Sequence, residues 1–144
     1  MSETKLKTLK LVSILLGFLS AVNMVLLGIY IINYCLTLAF LLSRFLINAT
    51  YVGFATAISV ALIIFGCYSI YKDHALRGGF CNIIAGIITM GLYLYYTLDL
   101  SILQQFGLLG YSLLLPAPIS GIIGIIISKA KQRTSKAPNL FGGD

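Results

Sequence analysis

Charge in this chain is confined to a few short stretches, and the long segments between them carry none. No Asp, Glu, Lys or Arg occurs at 11–43, 51–71 or 78–98. An uncharged apolar run of about 18 residues or more can cross a hydrocarbon core about 30 Å thick as an α-helix. A soluble domain covers its exposed faces with charge, about a quarter of its residues. Here 10% are charged and 59% hydrophobic. The pattern predicts an all-α integral membrane protein rather than a water-soluble globular domain.

At about 20 residues per span plus connections, 144 residues allow four crossings and little else. The apolar runs predict one membrane domain, a four-transmembrane-helix bundle with spans at 11–32, 50–71, 79–98 and 106–128. Lys5, Lys7 and Lys10 precede the first span, Lys72 and Arg77 join the second and third, and Lys129, Lys131, Arg133 and Lys136 follow the fourth. Nine of the ten basic residues thus fall on one side, with Arg44 alone on the other. The positive-inside rule then places both termini in the cytoplasm of a multi-pass cell-membrane protein. The basic start followed by an apolar run resembles a secretory signal, but the run continues to about Ile32 without a small-x-small cleavage site. It reads as a retained anchor.

The connection at 33–49 has two readings. The uncharged run 11–43 would be about 50 Å long as one helix, against a core of about 30 Å. Either that helix tilts and projects, or it ends near Asn33 and 36–47 forms an interfacial helix with Thr37, Ser43 and Arg44 towards water. The second reading is preferred here. Tyr30, Tyr34, Tyr51, Tyr93, Tyr95 and Tyr96 fall near the expected outer boundary and Tyr68 and Tyr71 near the inner one, as an interfacial belt requires. Asn48-Ala49-Thr50 is a glycosylation sequon on the outer side, nearly touching the second span.

Lipid offers no hydrophobic drive for helices to associate, so close packing depends on small residues that let backbones approach. Ser13, Gly17 and Ala21 form a four-residue ladder on span 1, and Gly53, Ala57 and Ala61 form one on span 2. Gly79, Asn82 and Gly86 mark a face of span 3, and Ser120, Gly124 and Ser128 a face of span 4, with Gly121 beside it. These ladders predict contacts within the bundle and room for other membrane subunits or a second copy.

No span contains an ionisable carboxylate, amine or imidazole, so a proton relay has no obvious member. His74 is the one histidine, and a zinc site built from Cys67, His74 and Cys81 would lack a fourth ligand unless Asp73 or water served. No cofactor, metal or catalytic group is expected. The polar side chains expected at mid-membrane are Asn23, Ser59 and Thr89, with Ser20 nearby. Pro116 and Pro118 lack amide hydrogens and would free the carbonyls of Ser112 and Leu114. Those groups either satisfy one another in a kinked bundle or line a small solute site, as broken helices do in transporters. Alternatively Pro116 starts a helix and Gly107 to Leu115 re-enters the membrane, leaving a short final span. The formal charge of +6 lies at the ends of apolar segments, not in a nucleic-acid-binding patch, and points to anionic headgroups on the cytoplasmic side. The tail at 129–144 is basic and then contains Pro138, Gly142 and Gly143.

The expected function is a membrane protein without catalytic machinery. It would act through helix packing as an accessory or structural subunit of a complex or as a homo-oligomer. The alternative is a small channel or facilitator for an ion or neutral solute through the mid-membrane polar layer.

Overall fold

The computed structural model describes residues 3–39, 44–99 and 115–135, and among these the chain forms helices and no strand. The helices are α1 (Glu3–Ala39), α2 (Arg44–Tyr71), α3 (Ala75–Asp99) and α4 (Pro116–Ser135). Three contain segments long and apolar enough to cross a membrane: Glu3–Thr37, Ala49–Tyr71 and Ala75–Leu92. Each helix packs beside two others in the cyclic order α1, α2, α3, α4 and back to α1. The large apolar side chains Leu15, Phe18, Phe54, Phe65, Ile87 and Ile122 lie exposed on the outside, as a lipid-facing surface requires.

Two boundaries differ from the sequence reading. The separate helix expected at 36–47 is absent among the described residues: 36–39 continue α1 and 44–47 open α2, while 40–43 lie outside the described residues. No Gly or Pro interrupts 29–47, so nothing in the chain breaks α1 at Asn33. Instead the Asn33 carbonyl accepts the Thr37 hydroxyl at 2.8 Å, one turn on. The second difference is in the fourth segment, where Pro116 opens α4 and Leu115 is a turn residue. Proline suits a first helical position because the amide it lacks would have no intrahelical partner there. The start at Pro116 replaces a proline in mid-span, and residues 100–114, including Ser112 and Leu114, lie outside the described residues. The sequon Asn48-Ala49-Thr50 falls within α2.

Three residues, Lys72, Asp73 and His74, join α2 to α3. The amide of His74 bonds the Ser69 carbonyl at 2.8 Å and that of Asp73 bonds the Ile70 carbonyl at 3.2 Å, the paired bonds of a Schellman turn. Asp73 sits at the left-handed position with φ 67°, where a short polar side chain is among the few tolerated. The His74 carbonyl then accepts the Gly78 amide at 3.1 Å and starts α3.

Glycines set the interhelical spacing. A Cβ on Gly121 would lie 2.6 Å from the Gly79 carbonyl oxygen, and one on Gly79 would lie 2.7 Å from that of Gly121. Real Cβ atoms do not approach backbone so closely, so α3 and α4 meet at a distance that larger residues forbid. Gly66 and Gly78 make the equivalent backbone approach between α2 and α3, and Gly28 receives Thr56 between α1 and α2. Two apolar layers fill the space further from the basic end. One gathers Ala21, Met24, Ile63, Ala85 and Ala117, and the other Ile31, Cys35, Ala49 and Val52.

Candidate functional site

Between the glycine seams, three buried polar side chains from three helices meet. Ser13 of α1 donates its hydroxyl to the Ser120 carbonyl of α4 at 2.8 Å, and Ser120 donates to the Ser13 carbonyl at 2.7 Å. The amide nitrogen of Asn82 on α3 donates to Ser120 Oγ at 2.8 Å. All three are fully buried, with 0% exposure. Inside a membrane-like interior an unmatched polar group is costly, and the reciprocal serine pair solves this by letting each residue satisfy the other's backbone. Gly17 of α1 packs against Cys67, Ser120 and Asn82, and Cys67 brings α2 into the same junction. The Cys67 thiol donates to the Ile14 carbonyl at 3.8 Å.

The polar residues expected at mid-membrane are placed at several depths. Thr89 donates to the Ala85 carbonyl at 2.7 Å, with Met24 Sδ 3.2 Å from the same hydroxyl. Ser59 is fully buried and Asn23 half-buried. Pro118 seats against Gly86, whose Cβ would lie 2.8 Å from Pro118 Cδ, and Pro116 heads α4. No described bond joins Asn23, Ser59 and Thr89 to one another. Ser20 Oγ, Ser59 Oγ and Asn82 Oδ1 are buried atoms without a hydrogen-bond partner among the described residues. The Ser13–Ser120–Asn82 junction was not expected as a polar site. All three count as small-residue packing positions in the sequence, and the signal that could have found the junction is that the ladders of spans 1, 3 and 4 each carry a hydrogen-bonding side chain while that of span 2 carries none.

At the basic end the N-terminal part of α1, the α2–α3 turn and the end of α4 surround a cavity of about 450 Å³. Lys10 reaches Asp73 at 3.1 Å and Lys131 reaches the same oxygen at 3.6 Å, so one turn residue ties α1 to α4. The hydrogen bond from Lys10 holds the Asp73 carboxyl below the usual carboxylate range, with Lys131 adding to the effect. Lys10 also lies 5.7 Å from the Tyr71 ring centre, and Lys72 5.9 Å from that of Tyr68. Glu3, paired with Lys7 one helical turn away at 2.9 Å, is likewise held low by that hydrogen bond.

The small-residue ladders have different fates. Ser13, Gly17 and Ala21 are buried, as are Gly79, Asn82 and Gly86, and Ser120, Gly121 and Gly124. Ala57 and Ala61 are exposed, and Gly53 has only Ile32 within reach, 3.8 Å from where a Cβ would stand. Among the described residues the expected packing role of Gly53, Ala57 and Ala61 is therefore not exercised. They line an apolar groove of about 440 Å³ between α1 and α2, with Val25, Gly28 and Ile29 on the opposite wall.

His74 is exposed in the turn, while Cys67 faces α1. Among the described residues no three His, Cys, Asp or Glu side chains converge as metal ligands would. No protein-family model, curated protein or solved structure matches this chain.

Proposed function

We propose that this protein is a four-span membrane bundle, both termini cytoplasmic, that acts without catalysis by packing against a further transmembrane helix as an accessory or self-associating subunit. The observation that carries this reading is the groove between α1 and α2, where Gly53, Ala57 and Ala61 stand at helical spacing and face outward. Small residues let a second backbone come close, and close van der Waals packing is the main attraction between helices in lipid. The groove walls are apolar except for Thr56, a composition suited to another membrane helix rather than to a polar substrate.

The test is native mass measurement after extraction in mild detergent, for the parent and for the Ala57→Leu, Ala61→Leu double variant. The parent is expected as a dimer or with stoichiometric foreign subunits, and the double variant as a lone monomer. A parent that is monomeric over a wide concentration range overturns the reading.

A second reading, a facilitator for an ion or neutral solute, draws on the Ser20 and Ser59 hydroxyls and the Asn82 carbonyl oxygen, which have no hydrogen-bond partner among the described residues. It expects solute flux in proteoliposomes that falls when Ser20 and Ser59 are both changed to Ala. Flux that is absent in the parent, or equal in parent and variant, eliminates it.

A further inference from the structure

The cavity at the basic end is not used by a packing function, yet its chemistry is organised. Its floor is apolar, formed by Leu6, Ile70 and Ile127, and its rim carries Lys7, Lys10 and Lys131. Only Lys10 is substantially covered, with a side-chain exposure of 25%. Each ammonium has three donors. Lys10 and Lys131 meet on one oxygen of Asp73, which sets both ammonium groups beside the space between α1 and α4. Ser128 and Gln132 line the same space and can add neutral donors. Lys5, Lys72, Arg77, Lys129 and Arg133 stand exposed on the elements around it, so the local potential is positive even with Glu3 and Asp73 in the lining.

The depth of the cavity identifies the anion. Lys10 is the last charged residue before the uncharged stretch of α1, and Tyr68 and Tyr71 lie exposed at the same end. Tyrosine and lysine at the end of an apolar segment mark the headgroup level of a bilayer. We propose that this cavity is a discrete site for the phosphate of an anionic phospholipid in the leaflet at the basic end, held between Lys10 of α1 and Lys131 of α4. Glu3 and Asp73 are the two carboxylates facing it, and Asp73 competes with the phosphate for both lysines.

The experiment is native mass spectrometry of the full chain in detergent, titrated with phosphatidylglycerol, phosphatidylcholine of the same acyl chains, or inorganic phosphate. One phosphatidylglycerol is expected to be retained about thirtyfold more tightly than phosphatidylcholine, on the scale of two lysines near an anionic surface. Lys10→Gln with Lys131→Gln is expected to abolish that preference. Lys5→Gln with Arg133→Gln, which removes the same charge outside the cavity, is expected to keep it. Asp73→Asn is expected to tighten binding by releasing both lysines, a gain that a merely structural role for the clamp would not produce. Equal retention of the two lipids overturns the proposal, as does an equal loss in both double variants, which would mean diffuse charge. Displacement of the lipid by millimolar inorganic phosphate overturns it in favour of a soluble-anion site. Should the Lys10/Lys131 variant fail to fold, Asp73→Asn decides, since unchanged binding there also overturns it.

Discussion

The α3–α4 seam and the outer face of α2 carry the same sequence device and use it oppositely. On α3 and α4, Gly79 and Gly121 bring two backbones so close that neither position admits a Cβ. On α2, Gly53, Ala57 and Ala61 repeat the four-residue spacing, yet Gly53 has space for a side chain and both alanines are exposed. Small residues permit close approach but do not cause it. In the seam, approach is fixed by groups that must be satisfied: Ser120 is bonded to Ser13 and Asn82, and Pro118 is lodged against Gly86. Among the described residues the α2 ladder has no such anchor, which is why the proposed partner helix is placed on this face.

The comparison is broken most directly at Gly121. Gly121→Leu forces a side chain into the Gly79 carbonyl and Ile83, and the expected cost is more than about 3 kcal/mol of unfolding free energy in detergent. A variant as stable as the parent would show that the seam can open, and the contrast with α2 would lose its basis. The next effect is at the anchor itself. Ser120→Ala removes two hydrogen bonds, the one to the Ser13 carbonyl and the one from the Asn82 amide, and strands that amide, with an expected loss of about 1 kcal/mol, near the measured range for interhelical bonds in membranes. The same measurement on Ser59→Ala should show no loss, because that hydroxyl has no described partner. A loss there would reveal a hidden acceptor.

Acid sharpens the contrast by loosening one end of the ring. Because Lys10 depresses the folded carboxyl value of Asp73, the stabilisation is complete above the unfolded value of about 4 and is lost as pH falls through the lower folded value. The Asp73 side chain is 64% exposed, so solvent screening limits the effect to about 0.5 kcal/mol. Thermal unfolding of Asp73→Asn should accordingly show less change between neutral and acid pH than the parent. The smallest expected effect is at Gly53, where Gly53→Ala should leave monomer stability within about 0.5 kcal/mol of the parent. A large loss there would mean that the α2 face is already occupied in the isolated protein.

Much of the architecture was legible in the sequence because charge is expensive in lipid. The basic stretches mark the helix ends that meet at Asp73, and the uncharged runs mark the helices between them. The buried faces holding Ser13, Gly17 and Ala21 and Gly79, Asn82 and Gly86 were also legible. The outward turn of Ala57 and Ala61 was not, since lipid and a neighbouring helix are equally apolar and the pattern is the same for both. The length of α1 was misread because the mismatch with bilayer thickness outweighed the absence of any breaker at 29–47. Spacing alone does not decide whether Pro116 kinks a span or opens a helix, since proline is compatible with both. The serine–asparagine junction was hidden by the small size of Ser13 and Ser120, which allows them to be counted as packing residues while their hydroxyls set the register.

The length of α1 has a consequence for where this protein is comfortable. Beyond Lys10 it runs to Ala39 without a charge, about 43 Å of helix at 1.5 Å per residue. That exceeds the hydrocarbon thickness even of a sterol-rich plasma membrane, about 33 Å. In any ordinary bilayer the excess is absorbed by leaning or by local thickening, and leaning is not private to α1, because its seams to α2 and α4 lock its neighbours to it. A bilayer thinner than this stretch therefore tilts the packed helices as a body rather than α1 alone.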